Sequence, residues 1–348
     1  MKILGIETSC DETAAAVVED GRKLLGETVA SQIETHAKFG GVVPEVASRQ
    51  HVQSITAVVE DAMNKSGVAF DDLDAIAVTC GPGLLGALLV GVSAAKGYSL
   101  ATGLPLVPVH HIAGHVAASF VGTDMALPVL ALVVSGGHTE LLVVNESFEF
   151  HKLGGTKDDA AGEAYDKVAR IIGLSYPGGP KVDELAEKGN PEAYRFPRAL
   201  MDEDTYDFSF SGLKSAVANE LVKQNRRQEE VVPADVCASF QQAVVDVLVE
   251  KTARAAAETG LNQVVVAGGV AANQGLRRGL KAKGDEQGFR VYFPPVRLCT
   301  DNAAMIAAAG YFLASQGRFA DLYLNAYAAL SLEDWQRMYR SGMFANGM

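Results

Sequence analysis

The sequence predicts an α/β protein built as two duplicated lobes around a central cleft, and three observations point there. First, each half opens with a segment of the same layout, an apolar run, a polar turn and a second apolar run, as a duplicated hairpin would. Second, apolar strand-like segments alternate with helical ones between and after these hairpins, the pattern of a largely parallel sheet with covering helices. Third, 35 glycines accompany only 7% aromatic residues, which suits tight turns near a ligand better than a β-sandwich. At 348 residues and 48% hydrophobic, the chain exceeds what one core usually holds, so two lobes are expected.

In order, KILGIETS (2–9) reads as a buried strand, CDET (10–13) as a polar turn and AAAVVED (14–20) as the returning run. Behind Pro44, residues Val52, Ile55, Val59 and Met63 recur at helical spacing as far as Gly67. DAIAVTCGPG (74–83) reads as a buried strand ending in a glycine turn, 87–103 as an apolar helix and 104–110 as another strand. Residues 127–147 form the second hairpin around Ser135-Gly136-Gly137-His138-Thr139. Helices follow over 158–173, 210–224 and 233–260, then a strand, glycine turn and helix start over 263–273, and a helix over 301–317. With no low-complexity linker, the lobes are expected at 1–125, with the tail 323–348 packing back on it, and at 126–322, joined by short crossings near 122–128.

Composition excludes several classes. The net charge of −12 repels polyanions, so any RNA has to be held by a local basic patch or by a partner protein. Arg195, Arg198, Arg226 and Arg227 are the candidates for such a patch. The four cysteines, Cys10, Cys80, Cys237 and Cys299, form no CxxC pair and read as core packing. Glu7 interrupts the N-terminal apolar run before it reaches signal-peptide length, and no uninterrupted apolar stretch is expected to span a bilayer. A reduced, cytoplasmic compartment is expected.

The sharpest motif is His110-His111-Ile112-Ala113-Gly114-His115. On a helix, His111 and His115 project from one face one turn apart, and two neutral imidazoles there can hold one divalent metal. His110 points elsewhere and reads as structural. Asp301 opens the late helix, where from the local sequence alone a plain N-terminal cap is the favoured account of it. As a third ligand it would complete a two-His, one-carboxylate set with open positions for a substrate oxygen. Three glycine turns follow apolar strands and can present backbone N–H groups to an anion: Ser135–Thr139, Gly268–Asn273 and Gly81–Gly86. Each is also what any α/β fold uses to leave a strand. The acidic run Asp158–Asp166 opens a helix, which is favourable electrostatics in itself; alternatively Asp166 contacts a ribose hydroxyl or an amine. Tyr176-Pro177-Gly178-Gly179-Pro180 is a tight turn before Asp183.

Together these segments resemble the TsaD family of tRNA adenosine threonylcarbamoyltransferases, earlier labelled O-sialoglycoprotein endopeptidases. The resemblance runs through GIETSCDET, GGVVPEVASRQH, GPGLLGALLVG, PVHHIAGH, LVVSGGHTEL, TKDDAAGEAYDKVAR, YPGGP, FSFSGLKSA, AGGVAAN and FPPVRLCTDNAAMIA. Tyr165 stands where the family more often has Phe. The resemblance implies the ASKHA fold of actin, Hsp70 and sugar kinases. It implies an iron or zinc ion on His111, His115 and Asp301. The substrate, threonylcarbamoyl-AMP, would lie along Val133, Val134, Ser135, Gly136, Gly137 and His138, with Asp166, Gly179, Asp183 and Asn273 around its adenosine; ATP or ADP is a further possible nucleotide. Asp11 or Glu12 would assist proton movement. The acceptor would be tRNA; partners would be a TsaB-like paralogue, a TsaE-like ATPase and a TsaC-type enzyme as adenylate source.

Three rival functions make different demands. A metalloprotease of the HExxH kind needs a Glu after its first metal-binding His, and Ile112 stands there. A small-molecule kinase of the same fold uses Mg²⁺ on oxygen ligands, whereas a His pair favours a softer metal. A non-catalytic scaffold predicts no metal at all.

Overall fold

The computed structural model describes residues 1–344. The chain forms two compact units, one of Met1–Leu127, Asn145–Phe150 and the chain from Arg297 on, the other of Pro128–Val144 and His151–Val296.

The first unit is built on β1 (Lys2–Glu7), buried at every residue after Lys2. A strand covered on both faces needs no polar alternation, and KILGIE shows none. β2 (Glu12–Glu19) returns antiparallel, with Ile6 opposite Ala15 and Leu4 opposite Val17. β3 (Lys23–Ser31) adds an antiparallel edge, with a register shift at Val17/Val18. The short α1 (Ile33–Ala37) leads to α2 (Pro44–Ser66), which starts on a proline and ends at Gly67 in the left-handed conformation, φ 65°. β4 (Ala75–Gly81) runs parallel to β1, α3 (Leu85–Thr102) covers the sheet, and β5 (Leu106–His110) runs parallel to β4 and passes directly into α4 (His111–Ala117). The sheet order is β3-β2-β1-β4-β5. By length and composition α3 is apolar enough to cross a membrane, although Lys96 interrupts its apolar run. Here it packs on α2 and β4 through Ala87, Leu88, Gly91, Val92 and Ala95.

The second unit opens with the hairpin of β6 (Val129–Val134) and β7 (Thr139–Val144), extended by β8 (Phe150–Gly155). α5 (Ala161–Ile171), α6 (Gly178–Ala186), α7 (Ser211–Arg227) and the long α8 (Pro233–Thr259) follow. β9 (Gln263–Ala267) lies parallel to β6, and after α9 (Gln274–Gln287) the short β10 (Arg290–Tyr292) lies parallel to β9. The order β8-β7-β6-β9-β10 repeats the first sheet strand for strand, so the duplication is present in the connectivity.

The chain then returns to the first unit with α10 (Ala303–Ala314) and α11 (Leu332–Arg340). The sequence placed residues up to 322 in the second lobe; the segment 297–322 packs instead with 1–127. The cause is steric fit. α10 is buried from Ala303 to Gly310, and it lies so close to β1 that a Cβ on Gly5 would strike the backbone of Ala303 and Ala307. Only a helix with a small-residue face can sit there. On α11, Trp335 is fully buried and donates from Nε1 to the Pro108 carbonyl at 3.1 Å. Of the tail 323–348, residues 345–348 lie outside the described residues.

Candidate metal centre and nucleotide-binding turns

Because β5 runs into α4 without a loop, His111 is the first residue of the helix and His115 lies one turn on. His110 caps the helix: its Nδ1 accepts from the Ile112 N–H at 3.1 Å, and its Nε2 donates to the Leu330 carbonyl at 3.0 Å. The His111 and His115 rings meet edge to face, 4.6 Å between centroids. Opposite them α10 begins, and its cap is Asn302, whose Oδ1 accepts from the Met305 N–H at 2.8 Å. Asp301 is not the cap, and its Oδ1 sits 3.5 Å from His111 Nε2 and 3.3 Å from His115 Nε2.

One donor atom from each of His111, His115 and Asp301 lies within 4.8 Å of the other two. Ligand atoms about 2.1 Å from a shared tetrahedral zinc stand about 3.4 Å apart, so the two spacings to Asp301 suit one ion. Two imidazoles and a carboxylate suit zinc or iron and leave positions open. A second shell is present on one side. His111 Nδ1 is 3.1 Å from Ser9 Oγ and 3.4 Å from Glu7 Oε2. Glu7 is fully buried, and its Oε2 also accepts from Thr79 Oγ1 at 2.6 Å. A proton on Nδ1, donated towards these oxygens, leaves the Nε2 lone pair facing Asp301, the tautomer a metal requires. His115 Nδ1 has no hydrogen-bond partner among the described residues. Burial opposes the charged form of His111, but Asp301 and Glu7 outweigh it and push the imidazole up to about 9, so an ion must displace a proton to bind. Sequence reasoning missed Glu7; its one signal was a carboxylate closing an otherwise apolar strand.

The first hairpin turn is held from α2. His51 Nε2 donates to the Cys10 carbonyl at 2.9 Å, and its Nδ1 accepts from the Thr13 hydroxyl at 2.8 Å. Asp11 is half-buried. Glu12 is buried, with Oε1 accepting from Ser31 Oγ at 2.9 Å and Oε2 unpartnered among the described residues. Burial, then the charges of Asp11 and Asp301, push its carboxyl up to about 8.

The second unit gathers the other predicted residues. Ser135 Oγ accepts from the N–H groups of Gly137 at 3.3 Å and His138 at 3.1 Å. Gly162, at the start of α5, donates to the Ser135 carbonyl at 3.1 Å. Gly268, at φ 90°, lies so close to Val134 that a side chain would strike its carbonyl. The turns 135–139 and 268–269 therefore meet at the head of α5, and Gly136 and Gly137 have no atom within 4 Å where a side chain would begin. Val133 and Val134 are fully buried in β6, each paired across to β7 and Val133 also to Ala267 of β9, so neither presents a surface to a ligand and they act by holding the turn that follows. Asp166 Oδ1 accepts from Gly178 N–H at 2.8 Å and Gly179 N–H at 3.3 Å, capping α6. Asp183 Oδ2 accepts from the Gln274 N–H at 2.9 Å, beside Asn273, whose Oδ1 caps α9 through the Leu276 N–H at 2.8 Å.

Two expectations change. The turn Gly81–Gly86 lies in the first unit with two of its N–H groups committed internally, Gly83 to the Ala328 carbonyl at 3.1 Å and Leu84 to the Ser9 carbonyl at 2.8 Å. Arg198 is bound to Asp246 through Nε at 3.0 Å and Nη2 at 2.7 Å, while Arg195, Arg226 and Arg227 are exposed.

Among solved structures, the full-length HypF protein in its phosphate- and nucleotide-bound form aligns over 90% of this chain and 46% of its own, at 18% identity and TM-score 0.60. Component A of the (R)-2-hydroxyglutaryl-CoA dehydratase of Acidaminococcus fermentans aligns over 90% and 99%, at 18% identity and TM-score 0.54. These likenesses speak to fold, and the fold is of the ASKHA class. In sequence, the tRNA N6-adenosine threonylcarbamoyltransferase of Geobacillus thermodenitrificans (strain NG80-2) is 60% identical over 331 residues, 95% of this chain and 96% of that protein. The protein of the same name from Bacillus subtilis (strain 168) is 56% identical over 341 residues, 98% of each. The model of the TsaD family, tRNA N6-adenosine threonylcarbamoyltransferase, matches residues 23–308, from the first edge strand to the helix that carries the carboxylate to the two histidines. The chain belongs to the TsaD family.

Proposed function

We propose that this chain transfers the threonylcarbamoyl group from threonylcarbamoyl-AMP to N6 of the adenosine 3′ of the anticodon in tRNAs reading codons that begin with A, releasing AMP. The observation that carries this reading is the convergence of His111, His115 and Asp301, backed by Glu7, in a chain of this family. The N6 amine attacks the carbamoyl carbon, the bond from that carbon to the phosphate oxygen breaks, AMP leaves, and the amine loses a proton. His111, His115 and Asp301 would hold an iron or zinc ion, which when bound would supply Lewis-acid stabilisation of developing negative charge. Glu7 holds the His111 ring and its tautomer. The Ser135–His138 turn, with Gly136 and Gly137 open above it, receives the adenylate, and Asp166, Gly179, Asp183 and Asn273 fix its adenosine, so that much of the rate enhancement is positioning. Burial, and then the charge of Asp11, push the Glu12 carboxyl up to about 8, and in its ionised form it takes up the amine proton.

In this reading the chain works in the cytoplasm, with a TsaC-type enzyme supplying the adenylate and with TsaB-like and TsaE-like proteins as partners. The test is reconstitution with threonylcarbamoyl-AMP and tRNA, with and without those partners, followed by nucleoside analysis. Threonylcarbamoyladenosine in the tRNA and stoichiometric AMP are expected; AMP without modified nucleoside under every condition overturns the reading.

A further inference from the structure

We propose that Gln241, on α8, is a positioning residue that sets the orientation of both Asp183 and Asn273. The inference rests on the nucleotide reading of the second unit given above. Gln241 is buried, and its side-chain amide is bonded at both ends. Nε2 donates to Asp183 Oδ1 at 3.0 Å. Oε1 accepts from Asn273 Nδ2 at 2.7 Å and from the Tyr165 hydroxyl at 3.2 Å. The remaining oxygens of the two neighbours are held by backbone, Asp183 Oδ2 by the Gln274 N–H and Asn273 Oδ1 by the Leu276 N–H. Each of the two side chains is thus fixed by a backbone bond and by a bond to the same glutamine, and Asn273 Nδ2 has a further, longer contact with the Tyr165 hydroxyl at 3.4 Å. Because the amide donates to a carboxylate and accepts from an amide, its flip would oppose oxygen to oxygen and nitrogen to nitrogen, so one orientation is selected.

One face of Gln241 borders an open depression of about 290 Å³ lined among others by Ala186, Glu187, Val245 and Arg278, so on that side the hydrogen bonds, rather than packing, select the orientation of the amide. Gly275 is shaped to the same end. A Cβ there would stand 2.7 Å from Gln241 Nε2 and 3.3 Å from Asn273 Oδ1, displacing the amide from its two partners. Tyr165 contributes its hydroxyl to the network, and burial, with the charge of Asp183, raises that phenol well above its ordinary value, so it remains a donor. A phenylalanine in its place would leave Gln241 Oε1 with Asn273 alone.

The experiment uses the full chain, with AMP as the binding probe and threonylcarbamoyl-AMP plus tRNA for kinetics. Gln241→Met keeps length and volume but removes both bonds. It is expected to raise the Kd for AMP and the KM for threonylcarbamoyl-AMP by about tenfold, the scale of a lost hydrogen bond to a charged group, with kcat changed by less than about twofold because the loss is in uniform binding. Gly275→Ala, which leaves Gln241 itself in place, should give the same split, and Gln242→Met, on the exposed neighbour, should give wild-type values. If Gln241→Met and Gly275→Ala both keep the wild-type Kd and KM while Asp183→Asn raises them, Gln241 does not position the pair and the proposal is overturned. A lower yield of folded protein with unchanged Kd and KM overturns it equally, since that is the signature of a merely structural residue. If Asp183→Asn and Asn273→Asp also bind AMP as the wild type does, the nucleotide reading itself fails and the positioning role with it.

Discussion

Glu7 and Glu12 are two buried carboxylates of the first hairpin, in different surroundings. Glu7 is fully hydrogen-bonded, to Thr79, to the Ser9 backbone N–H and towards His111; Glu12 keeps one oxygen without a partner among the described residues. Removing the acceptor behind a metal-ligating histidine commonly weakens the metal by about 10–100-fold. Glu7→Gln is expected to do so in a metal titration while circular dichroism stays unchanged; an unaltered affinity would show that Ser9 alone orients the ring. Glu12, by contrast, titrates from about 8 in the folded, metal-free protein and near 4.5 when unfolded. Between those values the folded state binds the extra proton, so Glu12 weakens the fold progressively as pH rises from about 4.5 through 8. Urea denaturation of the metal-free protein should show stability falling across that window, and Glu12→Gln should flatten the slope; an identical slope in the variant would place the titration elsewhere. The histidine pair was legible from its spacing alone. Glu7, Gln241 and Asn302 were not, because each acts through a fold contact or a cap that local sequence shares with many unremarked residues.

Among the elements, the apolar ones were read from sequence and the marginal ones were not. β1, α2, α3, β5, β6 and α8 announce themselves by continuous or periodic apolar residues. β3 is a sheet edge on which only Gly26 is buried, so it lacks the alternation that marks a strand. α6 opens with Gly178, Gly179 and Pro180 and reads as a turn; it is a helix because Asp166, on α5, accepts its first N–H groups. The cap comes from another helix, which no local pattern displays. α10 shows the same dependence on fit. Gly5→Ala puts a methyl group into the backbone of Ala303 and Ala307, forcing apart the strand and the helix that delivers Asp301. Overpacking of this kind typically costs about 1–3 kcal/mol. Thermal unfolding should register the loss, with weaker metal binding beside it; a variant of wild-type stability would mean that α10 can slide at no cost.

At the scale of the molecule, the repeated five-strand order was legible as two hairpins of one layout, and the tail from 323 was expected back on the first lobe, whereas the return of 297–322 to the first unit was not legible, since sequence order gives no sign of which sheet a late helix covers. Charge is the other whole-molecule property. A chain of net charge −12 acting on tRNA needs its exposed cations, and with Arg198 held by Asp246, Arg226 and Arg227 at the end of α7 are left as candidates beside Arg195. Replacing Arg226 and Arg227 together by Glu should raise the KM for tRNA several-fold and lower the salt dependence of binding by about one unit of slope per lost phosphate contact; unchanged binding would assign tRNA capture to partner proteins. The catalytic reading rests on one ion held by His111, His115 and Asp301. The direct test is elemental analysis of the purified wild type beside His115→Ala and Asp301→Ala of demonstrated native fold. About one zinc or iron per wild-type chain and a stoichiometric loss in both variants is the predicted result; full metal content in either variant would contradict it.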